Sequence, residues 1–250
     1  MSAEALLDVR DLGKRFGGFA AVDGVNLAVA PGTIHSVIGP NGAGKTTFFR
    51  LLTGILRPTS GSVSFEARDI TGLRLHAVTR RGLTQSFQIT NVFPRLSVLE
   101  SVQVAILVRR QRSWDFASLR HRTVKREALE LLEQVGLSSL VDAEAQTLSH
   151  GDQRILEAAL ALATQPRLLL LDEPTAGMSP LETDRMVALV TELARQRGLT
   201  VLLSEHDMDV VFGISDHVTV LHQGHVIAHG SPIDVQEDEQ VIDVYLGGEA

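Results

Sequence analysis

The sequence predicts an α/β protein built on a mostly parallel sheet. Short apolar runs bounded by turn residues alternate with amphipathic helical patterns, which is typical of strands and helices that follow one another in turn. One such run leads directly into a glycine-rich turn and a helix, and another ends in two carboxylates. The 250 residues suit one large domain or two small ones, with ample chain to bury a core.

The first part of the chain predicts strands and one helix. The expected strands are 6–9, 25–29, 33–38 and 62–65, and the first two are separated by turn glycines as in a hairpin. The glycine-rich turn follows 33–38, and a helix is expected from Lys45 to about Leu52, ending at Gly54.

The rest of the chain predicts a helical insertion and then a return to alternation. From about 89 to 163 the apolar period becomes helical, and Val124, Ala128, Leu132 and Val135 share one helix face that ends at Gly136. Later the strand-like runs 168–171, 201–203 and 218–221 resume, and a helix at 181–197 separates the first two. This order predicts a parallel sheet.

Composition excludes several classes of protein. Without cysteine the chain has no disulfide scaffold, Cys-based zinc site or thiol nucleophile. Its net charge of −7 argues against nucleic acid as the main partner. Mean hydropathy is +0.12, and the longest apolar run, 158–163, is far shorter than the roughly 18 residues that span a bilayer. With no secretory signal visible, we expect a soluble cytoplasmic protein.

The glycine-rich turn fits the phosphate-loop pattern G-x-x-x-x-G-K-[ST] in full. Its residues are Gly39, Pro40, Asn41, Gly42, Ala43, Gly44, Lys45, Thr46 and Thr47. The glycines let backbone N–H groups turn toward phosphates, and the following helix adds its positive N-terminus. Lys45 is then expected at the β and γ phosphates and the Thr46 hydroxyl on Mg²⁺. Strand and helix flank the turn as this motif requires, which favours it over an ordinary glycine turn.

Two further segments carry candidate site residues. The leucine run at 168–171 ends in Asp172, a candidate Mg²⁺ ligand, and Glu173, a candidate general base for the attacking water. A strand followed by an acidic helix cap is the alternative. Ser149 is a good helix N-cap, so the N–H of Gly151 and its neighbours predict a second anion site. A capped helix with no other role remains open there.

Taken together, these residues resemble the ATP-binding cassette (ABC) nucleotide-binding subunits of membrane transporters. The motifs follow the family's order over nearly the whole chain. Gln88 is similar to the Q-loop glutamine, His206 to the switch histidine, and Phe16 to the aromatic that stacks on adenine. The resemblance implies ATP and Mg²⁺ as cofactors, Glu173, His206 and Gln88 as catalytic groups, and Gln88 beside Thr46 and Asp172 on the metal.

The resemblance also implies the architecture. It is a P-loop NTPase core (1–88 and 164–250) with an N-terminal antiparallel β subdomain and an inserted α-helical subdomain (about 89–163) carrying the signature motif. Because the motifs in the core follow apolar strands, they are expected to converge at the carboxyl edge of the sheet. The insertion carries Ser149 away from that edge. The resemblance implies that two subunits pair, so that Ser149 and Gly151 of one subunit contact the ATP held by Lys45 of the other.

Partners and location follow from the same resemblance. It implies transmembrane permease subunits, a second ATPase subunit that is identical or different, and, indirectly, a periplasmic solute-binding protein. No nucleic-acid partner is expected. The chain would sit peripherally at the cytoplasmic face of the inner membrane.

This sequence departs from the family pattern in two places. The signature reads LSHGDQ where LSGGQ is common, so His150 replaces a glycine and Asp152 a glutamine. Ser179 stands in the D-loop where aspartate is usual. Because Ser149 and Gly151 are retained, we expect ATP hydrolysis to survive. The communication that the D-loop aspartate carries in the family is the property that these changes affect.

Several stretches are most similar to ATPase subunits of branched-chain amino-acid importers. They include RFGG at 15–18, LSHGDQR at 148–154, EPTAGM at 173–178 and the ending VYLG at 244–247. Urea or amide importers and the lipopolysaccharide-export ATPase share much of this and remain alternatives. A more distant one is an ABC ATPase of DNA repair or translation, which the single phosphate loop and lack of cysteine disfavour.

Overall fold

A computed structural model describes residues 5–86, 95–110 and 119–246, with the side chains of 119–121 and 246 left out. The strands are β1 (Leu7–Phe16), β2 (Phe19–Val29), β3 (Ile34–Ile38), β4 (Ser60–Phe65), β5 (Arg68–Asp69), β6 (Leu83–Gln85), β7 (Leu168–Asp172), β8 (Thr200–Ser204), β9 (His217–His222) and β10 (His225–Gly230). The helices are α1 (Lys45–Leu52), α2 (Leu75–Thr79), α3 (Val98–Arg109), α4 (Leu119–Gln134), α5 (His150–Leu162), α6 (Pro180–Arg197), α7 (Met208–Ile214), α8 (Pro232–Gln236) and α9 (Glu239–Leu246).

The larger sheet is mostly parallel, which confirms the predicted α/β class. Within the described residues its strand order is β10-β9-β3-β8-β7-β6, and only the β9–β10 pair is antiparallel. Every residue of β3 and β8 is buried, as expected for central strands covered on both faces. Parallel pairing brings the carboxyl ends of β3, β8 and β7 to one edge, where the candidate site lies.

The smaller sheet is antiparallel, with the order β2-β1-β4-β5 in the described chain. Its first two strands are longer than the sequence pattern predicts, ten and eleven residues. The sequence underestimates the length of these strands for a physical reason. Register shifts follow Val9 and Leu12, and Asp11 has a positive φ of 47°, so bulges interrupt the alternation of buried and exposed residues. The strands nevertheless continue through them.

Helices fill the described chain between β6 and β7. Residues 95–110 and 119–162 contain α3, α4 and α5 with short 3₁₀ turns, which confirms that this stretch is helical. Gly136 has a φ of 74° two residues after α4 ends, and Gly54 has 74° after α1, as expected for helix termini. The exact limits of the core and helical subdomains stay a prediction.

Two large hydrophobic clusters hold these parts together. One joins α3, α4, α5 and α6 to one face of the parallel sheet, through residues such as Val102, Leu132 and Leu169. The other packs α1 and the antiparallel sheet against the opposite face, with Phe48, Phe49 and Phe65 almost fully buried. No helix in the described part of the chain has the length and apolar character needed to cross a bilayer.

Candidate functional site

The phosphate loop lies between β3 and α1. Gly39 and Gly44 have φ values of 152° and 105°. A Cβ atom on Gly39 would stand 2.1 Å from the Leu221 carbonyl oxygen, and one on Gly44 would stand 2.4 Å from the Ala21 carbonyl oxygen. Both positions therefore require glycine for reasons of space as well as backbone angle. The loop is shaped by its neighbours β9 and β2, and it leaves the first N–H groups of α1 without helical partners.

Lys45, the first residue of α1, is 7% exposed. Its ammonium donates hydrogen bonds to the carbonyl oxygens of Gly39 at 2.5 Å and Pro40 at 3.2 Å. Burial lowers the Lys45 pKa, and the nearby carboxylates of Glu173 and Asp172 oppose that shift. The structure thus places Lys45 close enough to Asp172 and Glu173 for their charges to interact.

A cavity of about 310 Å³ opens over this loop. It is lined by Phe19, Ala21, Asn41, Gly42, Ala43, Gly44, Lys45, Thr46, Thr47 and Glu173. The aromatic in this lining is Phe19, whereas Phe16 lies across the hairpin as its paired residue. Phe16 is 49% exposed, and the Lys14 ammonium lies 5.2 Å from its ring centroid.

The two acids of the leucine run lie at the carboxyl end of β7. Asp172 accepts a hydrogen bond of 2.6 Å from the Ser204 hydroxyl at the end of β8. Glu173 has a φ of 50°, a left-handed conformation that a non-glycine residue adopts at a cost. Its N–H donates to the Ser204 carbonyl at 3.0 Å, which holds that conformation and turns the side chain toward the phosphate-loop cavity.

Thr46 and Asp172 fit a magnesium ion. Mg²⁺ is usually held by one or two protein oxygen ligands together with substrate phosphates and water. Within the described residues no cluster of three His, Asp or Glu side chains is arranged to hold a metal ion. The donor set is a hydroxyl and a carboxylate, which suits a hard cation.

His206 and a buried acid follow β8. The His206 side chain is 62% exposed, and its Nδ1 lies 3.8 Å from Oε2 of Glu205. Glu205 is fully buried and accepts hydrogen bonds from the Thr175 N–H at 2.9 Å and the Thr175 hydroxyl at 2.7 Å. Its Oε2 accepts from the His206 backbone N–H at 3.2 Å, so Glu205 ties the loop after Glu173 to the backbone of the histidine. Gln88, the remaining predicted catalytic residue, lies outside the described residues.

Ser149 and Gly151 lie at the start of α5, away from the phosphate-loop cavity lining. Ser149 caps the helix by accepting from the Asp152 N–H at 3.1 Å. The Gly151 N–H donates to Glu182 Oε1 at 3.1 Å, and the Ser149 hydroxyl lies 3.2 Å from the same oxygen. The signature turn is thus bound to the first turn of α6 in the same chain.

The two departures from the family pattern are close together. The His150 ring Nε2 hydrogen-bonds the carbonyl oxygen of Ala176, the first residue of the D-loop (176–179), at 3.1 Å. Ser179 caps α6 in a reciprocal box with Glu182, whose Oε2 accepts from the Ser179 N–H at 2.9 Å. Residues of the signature and the D-loop therefore touch within one subunit.

Sequence reasoning missed three of these residues. Nothing in the sequence favours Phe19 over the nearby Phe16, which matches the family motif. Glu205 had a usable signal, because a carboxylate directly after a buried strand needs a partner. Glu182 had the signature of a capping box with Ser179, but nothing local predicts its contact with Gly151.

A phosphate loop at the end of β3, with two acids at the end of β7 on the far side of β8, defines a P-loop nucleotide-binding protein. Comparison with known sequences makes this specific. The family profile described as ABC transporter matches residues 22–176. A second profile, described as branched-chain amino acid ATP-binding cassette transporter, matches residues 225–250. The chain belongs to the ABC transporter ATPase family, whose members hydrolyse ATP, and it is the ATP-binding subunit of a transporter.

Curated relatives align over almost their full length. The high-affinity branched-chain amino acid transport ATP-binding protein BraF of Pseudomonas aeruginosa is 42% identical, covering 97% of this chain and 98% of the relative. LivG of Escherichia coli, named for the same transport, is 40% identical, covering 98% of this chain and 99% of the relative. The lipopolysaccharide export system ATP-binding protein LptB of Escherichia coli is 37% identical over 97% and 98%.

A solved structure gives the same architecture. The crystal structure of an ATP-binding cassette of an ABC transporter in its ADP conformation superimposes with a TM-score of 0.88 at 31% identity, covering 98% of this chain and 99% of that one. This confirms the ABC ATPase fold.

Proposed function

We propose that this chain hydrolyses MgATP at the phosphate-loop cavity to power the import of branched-chain amino acids. The observation that carries the proposal is that Glu173, held in a left-handed conformation, lines the same cavity as Lys45 and Thr46. That arrangement supports hydrolysis, because it directs a carboxylate at the loop that receives the phosphates.

Each residue has a role that its surroundings support. The unpartnered N–H groups of the loop and Lys45 bind phosphate oxygens, and Lys45 exchanges its two carbonyl partners for them. Thr46 and Asp172 are the side chains that would hold Mg²⁺, which when bound supplies charge to offset that of the β and γ phosphates. Glu173 accepts a proton from the attacking water. His206 adds a hydrogen bond to the transferred phosphate, and Glu205 orients it.

The first prediction tests the general base. In Glu173→Gln, ATP binding should persist while hydrolysis falls by at least about 10²-fold, because the amide cannot accept the proton. Steady-state phosphate release and ATP titration measure the two properties. Glu192→Gln, which removes an exposed glutamate from α6, is the matched control. Wild-type turnover in Glu173→Gln would refute the assignment of Glu173 as general base.

Lys45→Ala tests phosphate binding. The same ATP titration should show that this variant loses ATP binding.

Import of branched-chain amino acids is supported by the relatives. BraF and LivG carry that function in their names, and a family profile with the same description matches the end of the chain. The solute itself is bound elsewhere in such systems, by the permease subunits and by a periplasmic solute-binding protein, which is an indirect partner of this chain. The second candidate is lipopolysaccharide export, which the 37% identity to LptB supports. Urea or amide import remains a third.

A cleft at the opposite edge of the parallel sheet is a suitable surface for a permease subunit. It measures about 540 Å³ and lies beside the beginnings of β6 and β7, so its occupant does not compete with ATP. Its lining combines basic groups with the 72% exposed Val108. The basic lining residues are His76, Arg80, Arg81, Arg109 and Arg167, of which Arg109 and Arg167 are already paired with Glu127 and Glu66. This supports docking of a permease loop that carries acidic and apolar residues, at the cytoplasmic face of the membrane.

Reconstitution separates these candidates. The chain, combined in liposomes with the permease and second ATPase subunits of a branched-chain amino-acid importer, should hydrolyse ATP faster when a binding protein loaded with leucine is present. Charge reversal in Arg80→Glu should weaken association with the permease without changing ATP binding. Stimulation by lipopolysaccharide components or by urea instead of leucine would contradict the amino-acid assignment.

A further inference from the structure

The donors of the signature turn are already engaged by an anion from the same chain. Glu182 Oε1 accepts from the Gly151 N–H at 3.1 Å and lies 3.2 Å from the Ser149 hydroxyl oxygen. These are the two groups that, under the proposed function, meet the γ-phosphate of an ATP molecule bound by the partner subunit. A carboxylate and a terminal phosphate are both anions with acceptor oxygens, so they compete for the Gly151 N–H and for the single hydroxyl proton of Ser149, which Asp152 Oδ2 also approaches at 2.9 Å.

The fit of Glu182 into the turn is close. A Cβ atom on Gly151 would stand 2.5 Å from Glu182 Oε1 and 2.6 Å from its Cδ, so a side chain there would move Glu182 out of the turn. Asp152 also holds the turn, and it shares the Ser149 hydroxyl with Glu182. Asp152 is bound to the Ser149 hydroxyl at 2.9 Å and to Arg185 at 3.1 Å.

The other oxygen of Glu182 is bound to the D-loop. Oε2 accepts from the Ser179 N–H at 2.9 Å and from the Ser179 hydroxyl at 2.8 Å. The hydrogen bonds from Ser179, followed by those from Gly151 and Ser149, lower the Glu182 pKa to about 2, so the side chain is anionic at neutral pH. One carboxylate therefore joins the signature to the residue that stands in place of the usual D-loop aspartate.

We propose that Glu182 is an internal anion that occupies the signature turn in the ATP-free chain and is displaced by the γ-phosphate of ATP when two subunits close. The inference rests on the proposed function. Closure must break the hydrogen bond from Gly151 and bring a second negative charge to the turn, so Glu182 opposes ATP-driven association. Displacement also frees or shifts the carboxylate that caps Ser179, which couples occupancy of the signature to the D-loop within the same subunit.

Glu182→Gln removes this anion while keeping the helix cap. The amide oxygen can still accept from Ser179, and the amide nitrogen then faces the Gly151 N–H, with which it forms no hydrogen bond. The matched control is Glu100→Gln, which changes the glutamate of an equivalent capping box with Ser97 at the start of α3.

The experiment measures ATP-driven association in a background that does not hydrolyse ATP. Sedimentation velocity with MgATP compares Glu173→Gln, Glu173→Gln/Glu182→Gln and Glu173→Gln/Glu100→Gln over a range of protein concentrations. Loss of the competing anion should lower the concentration for half-association by about 100-fold, the scale of one charge-assisted hydrogen bond at each of the two sites of the pair, with no change in the control. Without ATP, amide exchange at Gly151 should accelerate in Glu182→Gln alone, as followed by NMR.

The outcomes are distinct. A double variant that associates no better than its parent, or more weakly, overturns the inference, as does unchanged amide exchange at Gly151. ATP titration of the same proteins tests the proposed function separately, because Lys45 binds ATP at a different part of the chain. Failure to bind ATP contradicts the proposed function, whereas normal ATP binding with association that ignores Glu182 contradicts only the role of Glu182.

Discussion

At the scale of single residues, the adenine contact can be assigned by experiment. The motif match predicts Phe16, while the cavity lining includes Phe19, its partner across the β1–β2 hairpin. We expect Phe16→Ala to weaken ATP binding about tenfold, because stacking of a base on an aromatic ring contributes ~1–3 kcal/mol. Binding of inorganic tripolyphosphate, which has no base, should be unchanged. A selective loss of ATP binding in Phe19→Ala alone would transfer the role to Phe19.

Glu205 is a second residue whose role is testable alone. Its buried carboxylate satisfies both the N–H and the hydroxyl of Thr175. Glu205→Ala should lower the free energy of unfolding by about 3 kcal/mol, since it leaves buried donors without acceptors. Chemical denaturation measures this, with Glu192→Ala on the exposed side of α6 expected to stay within about 0.5 kcal/mol of wild type. Equal stability of Glu205→Ala and wild type would contradict the proposed anchoring.

At the scale of secondary-structure elements, the central strand β3 carries a buried histidine that makes the fold acid-sensitive. His35 is fully buried, its ring lies 5.5 Å from that of His229 and 5.9 Å from that of His217, and its Nε2 bonds the Thr219 hydroxyl at 2.8 Å. Burial, with smaller effects of His229 and His217, lowers the His35 pKa to about 3. The native state therefore holds His35 neutral where the unfolded chain would protonate it.

The sign of the pH effect follows. The contribution of neutral His35 to the free energy of unfolding is complete above pH 6.5, near the pKa of His35 in the unfolded chain. It is lost as the pH falls from there toward 3. Between pH 7 and 5 this loss is about 2 kcal/mol. Urea denaturation should show a smaller fall over that interval in His35→Gln than in wild type. Substitution of the exposed His76 by Gln should keep the wild-type dependence, and an unchanged slope in His35→Gln would disprove the effect.

The elements differ in how well sequence predicts them. The helix that begins at Lys45 and the strand that ends at Asp172 were predictable, because glycine geometry and an apolar run ending in acids are local signals. The full length of β1 was not, since the bulges at Asp11 disguise its alternation. Contacts such as Gly151 with Glu182, 31 residues apart, depend on how α5 packs beside α6, which no local pattern encodes.

At the scale of the whole molecule, the proposed function predicts that a complete catalytic site needs two chains. Lys45 and Glu173 share the cavity at the carboxyl edge of the parallel sheet, whereas Ser149 begins α5 in the helical region and lies outside that lining. A symmetric pair then contains two sites, each with the phosphate loop of one chain and the signature of the other.

Mixed pairs test this arrangement. Lys45→Ala and Ser149→Arg should each be inactive alone, because every site in either pair lacks one component. When the two variants are mixed and allowed to reassociate, about half of the pairs are mixed, and each mixed pair has one intact site. ATPase activity should therefore return to about a quarter of wild type at equal total protein, provided the two sites act independently. If phosphate loop and signature acted within one chain, mixing would restore nothing, because neither variant contains an intact set.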